Sequence, residues 1–396
     1  MRIDLREARW FGRERAVGYA KMLAIAFGPA LIWYYLQAIG PVGSDFTQFW
    51  AASKLLLAGD PEGAYLAPRM SEIQYGLGRD HWVPFLCTPP FLAMIAPLSL
   101  LPYPAAWAAW VATTYALWLS AARRLIPAGI WPIAVFPGAM VAAWHAQNGL
   151  LTAALFIGAS LSMEKRPRLA GALLGALVIK PHLALLVPVA LLAGRRWSAI
   201  AAAAACAAGL LAAACALYGA DTFEAWLFAS ELGPGVLHPS EPEVLLRMPT
   251  VYAAVALYTG PIAALAAQAV CTLVMAGLVW RTWARPDVDE LGRWAVLALA
   301  GVLATPYLFH YDLAALIVPV CWLAREGLRT GFRAWEKLAL AIFYWSPFLT
   351  RAFAEKIGLN LMPLSTMAFL CCALARMNGA AATSRPPPVT AEHRRP

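Results

Sequence analysis

The sequence predicts an all-α protein that crosses a membrane many times. Three observations carry that expectation. Hydrophobic residues make up 61% of the 396 residues and charged residues only 13%, against roughly a quarter charged in soluble domains. Apolar runs of about 15 to 25 residues recur along the whole chain, the length a helix needs to span the hydrocarbon. The runs are solid rather than alternating, which argues against membrane β-strands.

In order, the runs are 21–39, 86–101, 104–124, 129–146, 148–163, 169–193, 197–218, 261–281, 294–309, 311–325, 335–350 and 360–377. The first follows a segment, residues 1–20, with charges of both signs and no small-residue cleavage site. It reads as a cytoplasmic segment before a retained span. The remaining runs are divided by short basic loops, including Arg195-Arg196, Arg281 to Arg293, and Arg325 to Lys337. Two longer polar stretches, 40–85 and 219–249, share one face if the runs between them cross in pairs. The positive-inside rule makes that face non-cytoplasmic and both termini cytoplasmic. The expected organisation is one integral membrane domain over 21–377, followed by a disordered tail, 378–396, containing Pro386-Pro387-Pro388.

The twelve-span arrangement carries one conflict. Arg123-Arg124 and Lys165-Arg166-Pro167-Arg168 fall outside, against the positive-inside rule. Making 86–101 a non-crossing segment and 169–193 a broken hairpin moves both clusters inside and leaves ten spans. The net charge of +9 therefore belongs to membrane orientation. No nucleic-acid-binding motif accompanies it, so nucleic acid is not an expected partner. The seven cysteines form no C-x-x-C pair and sit mostly in apolar runs, as small hydrophobes do.

Within 40–85, Phe46, Phe49, Trp50, Leu56 and Leu57 recur at helical spacing. The pattern predicts an amphipathic helix lying at the membrane interface and closed by Gly59-Asp60-Pro61. Asp45 stands at its start. It could cap the helix through an Asp45-x-x-Gln48 capping box, or serve as a general base at the mouth of the membrane body. The stretch 219–249 holds Asp221, Glu224, Glu231, His238, Glu241, Glu243 and Arg247.

Polar residues inside the apolar runs are the other candidates. Lys180-Pro181-His182 interrupts the run 169–193. Charge in hydrocarbon is costly, and proline frees a carbonyl, so this place is either a functional cavity with a phosphate for Lys180, or a snorkelling or carboxylate-paired lysine. His310 and Asp312 lie between two runs. Asp312 could orient His310, both could bind sugar or phosphate, or the segment could be a locally satisfied turn. Gln147 and Asn148 could bind a polyol or form a polar turn. Asp287-Val288-Asp289 has the form of a diphosphate-metal motif, but it lies among basic loop residues and reads as a solvated loop. No cofactor is expected, with a divalent metal held by Asp45 and residues of 219–249 as the open alternative, and no P-loop, H-E-x-x-H or G-x-S-x-G is present.

Five segments in order resemble glycosyltransferase family 87, membrane enzymes of the GT-C class. Asp45-Phe46 opens an acidic-aromatic stretch. Thr88-Pro89-Pro90-Phe91 is similar to the family's Tyr-Pro-Pro-Phe. Gln147-Asn148-Gly149 resembles Gly-Gln-x-Asn, with Ala146 at the glycine position. Gly171 through Lys180-Pro181 resembles a glycine-rich helix ending in Lys-Pro. Thr305-Pro306 with His310-Tyr311-Asp312 resembles Ser-Pro-His…Tyr-Asp. The resemblance implies a sugar donor linked to polyprenyl phosphate and a glycolipid or glycan acceptor. It also implies a site on the non-cytoplasmic face of a bacterial inner membrane, with Asp45 as the base. Lys180, His310 and Arg247 would then face the donor phosphate, and Gln147, Asn148, His182 and Asp312 the rest of the substrates. The competing reading is a transporter or flippase, in which Lys180, His310 and Asp312 line a path.

Overall fold

The computed structural model describes residues 4–8, 10–126, 129–231 and 241–383. Among these residues the fold is helical, with no strand. Three helices are long and apolar enough to cross a membrane: Arg13–Ile39, Trp197–Tyr218 and Pro261–Ala284. Their outward faces carry exposed Ile25, Trp33, Leu217, Ile262 and Leu273. Water does not tolerate apolar patches of that extent, whereas lipid does. The body they flank is packed around one large apolar core, to which Trp118, Phe136, Trp294 and Trp322 contribute.

Shorter apolar helices fill the rest. The run 86–101 folds as Pro90–Ile95, then a 3-10 segment Ala96–Leu100. At roughly 1.5–2 Å per residue this piece is too short to cross about 30 Å of hydrocarbon. The run 169–193 is broken into Pro167–Gly175, the 3-10 turns Ala176–Ile179 and Pro181–Ala184, and Val187–Ala193. Proline at 181 cannot supply the N–H that would carry the helix through. The Pro167–Gly175 helix lies against Trp197–Tyr218. A Cβ on Gly171 would stand 2.2 Å from the Ala199 carbonyl oxygen, and one on Gly175 2.4 Å from that of Ala203. Small residues let the two backbones touch, as they do in membrane helix pairs.

The helix predicted after Asp45 forms at Phe46–Leu57, but it does not lie on an interface. Nine of its residues are buried, from Phe46 through Ser53 and at Leu55. Its polar positions are met inside the protein: Thr47 Oγ1 pairs with the Tyr103 hydroxyl at 3.0 Å, and Ser53 Oγ donates to the Ala96 carbonyl at 2.8 Å. The amphipathic period was real, but the small hydroxyl residues on the polar face allow that face to be packed as well. The second polar stretch contains the helix Ala220–Glu231 and the turn Pro242–Leu245. Residues 232–240, including His238, lie outside the described residues. Trp226 Nε1 donates to the Leu86 carbonyl at 3.2 Å, tying this stretch to the end of the first one. The last helix runs Met362–Thr383, past the start of the expected tail, and 384–396 lie outside the described residues.

Candidate active site

Asp45 precedes Phe46–Leu57 with helical backbone angles (φ −56°, ψ −20°) and makes no side-chain cap. The expected capping box with Gln48 is absent. A cap needs extended backbone to turn the carboxylate onto the first N–H groups, and Asp45 is already in the helical region. Its carboxylate is directed elsewhere. Oδ2 lies 3.6 Å from His145 Nδ1, and the side chain is hydrogen-bonded to Gln147. The nearest cations are Arg351, Arg247 and Lys180. The side chain keeps 31% exposure, so it lines a hollow rather than being sealed in. Burial among protein atoms pushes its carboxyl above the ordinary value, and the Gln147 bond and the cations pull it back.

His145 and Gln147 reach Asp45 because the chain reverses between two helices, Pro137–Trp144 and Gly149–Ser162. Ala146 sits at φ +48°, in the left-handed region that glycine enters without cost. This accounts for a glycine being suited to that position. The turn is pressed onto the 3-10 segment His310–Leu316: a Cβ on Gly149 would stand 1.9 Å from the Tyr311 carbonyl oxygen. Two sequence motifs far apart in the chain thus meet backbone to backbone.

Lys180 and Asp312 are paired to each other. Lys180 Nζ donates to Asp312 Oδ1 at 2.5 Å and to Asn148 Oδ1 at 3.1 Å, and lies 4.9 Å from the Tyr311 ring centroid. The side chains of Lys180 and Asp312 are only 10% and 0% exposed. The other oxygen of Asp312 accepts the Phe309 N–H at 3.3 Å, and Asn148 Nδ2 donates to Cys87 Sγ at 3.4 Å. This is the carboxylate-paired form of the lysine. Both oxygens of Asp312 are engaged here, and neither is bonded to His310.

His310 is oriented instead by the backbone of the second polar stretch: its Nδ1 meets the Arg247 carbonyl at 2.9 Å. Among the described residues its buried Nε2 has no hydrogen-bond partner, and neither has Nε2 of His182, whose ring stands 5.4 Å from that of Tyr307. The Arg247 side chain is exposed and makes no ion pair among the described residues. The site therefore combines a carboxylate with free acceptor capacity, an uncommitted guanidinium and two open imidazole nitrogens. Sequence reasoning gathered all of these except His145 and Arg351. The signal for Arg351 was available: it is the first charge beyond the apolar run 335–350.

The D-x-D carboxylates are spent on structure. Asp287 takes both Arg285 Nε and Nη2, at 3.1 and 2.6 Å. Asp289 caps the Glu290–Ala304 helix and accepts from Trp322 Nε1 and Arg325. Among the described residues no cluster of three or more His, Cys, Asp or Glu is arranged to hold a metal. A cavity of about 360 Å³ lies by Trp10, Arg13 and Trp345, at the far end of Arg13–Ile39 from Asp45. A helix of that length separates its ends by roughly 40 Å.

An all-helical body with lipid-facing helices and a polar, partly unsatisfied hollow defines a membrane protein with a chemical site. The sequence model of glycosyltransferase family 87 matches residues 85–306, more than half the chain, and the protein belongs to that family. It is therefore a glycosyltransferase, working with a sugar donor and an acceptor. Gln147, Asn148, Lys180, His182 and Arg247 fall inside the matched residues, whereas Asp45, His310 and Asp312 fall outside. No curated protein and no solved structure matches the chain.

Proposed function

We propose that the protein transfers a hexosyl or pentosyl unit, mannose first among the candidates, from a polyprenyl-phosphate donor to a hydroxyl of an envelope glycolipid or glycan. The step takes place on the non-cytoplasmic face of a bacterial inner membrane. The observation that carries this reading is the Asp45 carboxylate, which does not cap its helix and faces a hollow beside Gln147, His145 and Arg247.

The acceptor oxygen attacks the anomeric carbon while Asp45 takes its proton. The bond from that carbon to the phosphate oxygen breaks, the anomeric centre inverts, and the lipid phosphate departs as an anion. That leaving group needs charge stabilisation rather than a protein acid. Arg247 and the open Nε2 of His310 are the groups free to supply it. Lys180 and Asp312, already bound to each other, shape the floor, and His182 offers one further nitrogen to the substrates. The same reading uses ten crossings within 21–377. Pro90–Leu100 is too short to cross, and a hairpin formed by the broken pieces of 167–193 would leave the basic clusters at 123–124 and 165–168 inside.

The test uses membranes of expressing cells, which supply the acceptor, and polyprenyl-phosphate mannose labelled in the sugar. Asp45→Asn is expected to lower transfer by about 10²- to 10⁴-fold at unchanged protein level. The acid limb of the wild-type rate should lie above the ordinary carboxylate value, because the Asp45 carboxyl is raised. Full transfer by Asp45→Asn would remove the base assignment. Transfer from a nucleotide sugar but from no polyprenyl-phosphate sugar would overturn the donor.

A further inference from the structure

His145 touches Asp45 but takes no part in the step above. Its Nδ1 is the atom 3.6 Å from Asp45 Oδ2. The opposite ring nitrogen, Nε2, meets Nη1 of Arg351, and Arg351 Nε is itself held by Glu355 Oε1 at 2.9 Å. A guanidinium has donors only. Nε2 must therefore present its lone pair, so the imidazole is neutral and its single proton sits on Nδ1. That nitrogen is the one next to Asp45. Tyr311 and Tyr34 flank the ring, with centroids 5.9 and 6.4 Å away.

We propose that Arg351 fixes His145 as its Nδ1–H tautomer and that His145 is thereby a positioning residue for Asp45, holding one carboxylate oxygen so that the other faces the acceptor hydroxyl. This rests on the general-base reading of Asp45. The resting distance is somewhat long for a hydrogen bond, and such contacts tighten when substrate fills the site. His145 has no open nitrogen with which to act as a base. The charged and titratable groups facing Asp45 besides His145 are Arg351, Arg247, Lys180, Tyr103, Tyr307 and Tyr311.

A donor to the ionised carboxylate lowers the pH at which it protonates, and its loss raises that pH. The experiment labels the purified full-length protein with dicyclohexylcarbodiimide, which adds to protonated carboxyls, and follows the Asp45 peptide by mass spectrometry against pH. Asp45→Asn assigns the signal by removing it. His145→Phe is expected to move the labelling midpoint up by about one pH unit and to lower kcat about tenfold near that midpoint. His145→Asn, which returns an N–H near the Nδ1 position, should bring the midpoint back toward wild type. A midpoint unmoved in His145→Phe overturns the proposal, and so does an equal shift in both variants, which would make the effect one of packing. Should His145→Phe not fold, His145→Ala takes its place with the same expected rise, and an unmoved midpoint there overturns the proposal equally. Full transfer by Asp45→Asn defeats the general-base reading and leaves the titration standing. An inert Asp45→Asn with an unmoved midpoint in His145→Phe defeats only the positioning.

Discussion

Two polar clusters sit within this apolar body, and they differ in how completely they are satisfied. Around Lys180, the ionised groups are bonded to each other: the ammonium is shared by Asp312 and Asn148, the second oxygen of Asp312 takes a backbone N–H, and Asn148 closes onto Cys87, leaving only Nε2 of nearby His182 open among the described residues. Around Asp45, the carboxylate lines a hollow, Arg247 makes no ion pair among the described residues, and His310 keeps a nitrogen without a partner among them. Buried polar groups left open are costly. A closed cluster serves the fold, and an open one has capacity left for a ligand. We propose from this comparison that Lys180 serves architecture and Asp45 chemistry, although a charge beside hydrocarbon marks both as functional at first sight.

The sharpest way to break that assignment is to remove Asp312. Asp312→Asn strands a buried ammonium and should cost about 3–5 kcal/mol, read as a large fall in melting temperature in detergent. Lys180→Met with Asp312→Leu should recover most of it. If the single variant is as stable as wild type, the pair is not part of the frame. Next comes the contact that joins the clusters. Gly149→Ala should cost about 1–3 kcal/mol, because its methyl meets the Tyr311 carbonyl, and His310 should be displaced with it. Arg247→Gln should leave stability within about 0.5 kcal/mol while raising the donor KM about tenfold, the weight of one hydrogen bond to a charged group. An unchanged KM would return the phosphate to other residues.

The smallest effect has the opposite sign. Because the folded-state carboxyl of Asp45 is raised, the folded protein holds that proton longer than the unfolded chain does. Its contribution to stability is present below the unfolded value and is lost as pH rises through the folded one. Asp45→Asn should therefore melt slightly higher than wild type at neutral pH, with the gain vanishing in acid. Such a gain beside lost activity is the signature of a site held against stability. Equal melting at both pH values would show that the hollow imposes no strain on the carboxylate.

The helical class and most helix positions were legible because apolar length is a local property. So was the break near Pro181, since a missing N–H acts where it stands. The D-x-D was expected to be a solvated loop, and local rules did not foresee that Asp289 would bond Trp322 and Arg325. What local rules could not give was pairing. Lys180 and Asp312 were each conspicuous, yet their bond crosses 132 residues, and that of Arg351 with His145 crosses 206. Asp45 shows the same limit in reverse. A neighbouring-residue rule made it a cap, and a distant turn with Ala146 in a left-handed conformation put His145 and Gln147 in front of it instead. The buried polar face of Phe46–Leu57 was hidden for a related reason, as its partners Tyr103 and Ala96 lie 56 and 43 residues away.

The Lys180–Asp312 bond has a consequence for how the protein is made. Asp312 leaves the ribosome 132 residues after Lys180, which at roughly 5–20 residues per second is on the order of ten seconds. Throughout that interval the segment carrying Lys180 is in or beside the membrane without its counter-ion. The break at Pro181 suits such a wait, because short helical pieces need not hold the charge at mid-bilayer as one continuous span would. The ion pair can be completed only when the segment 310–316 has arrived.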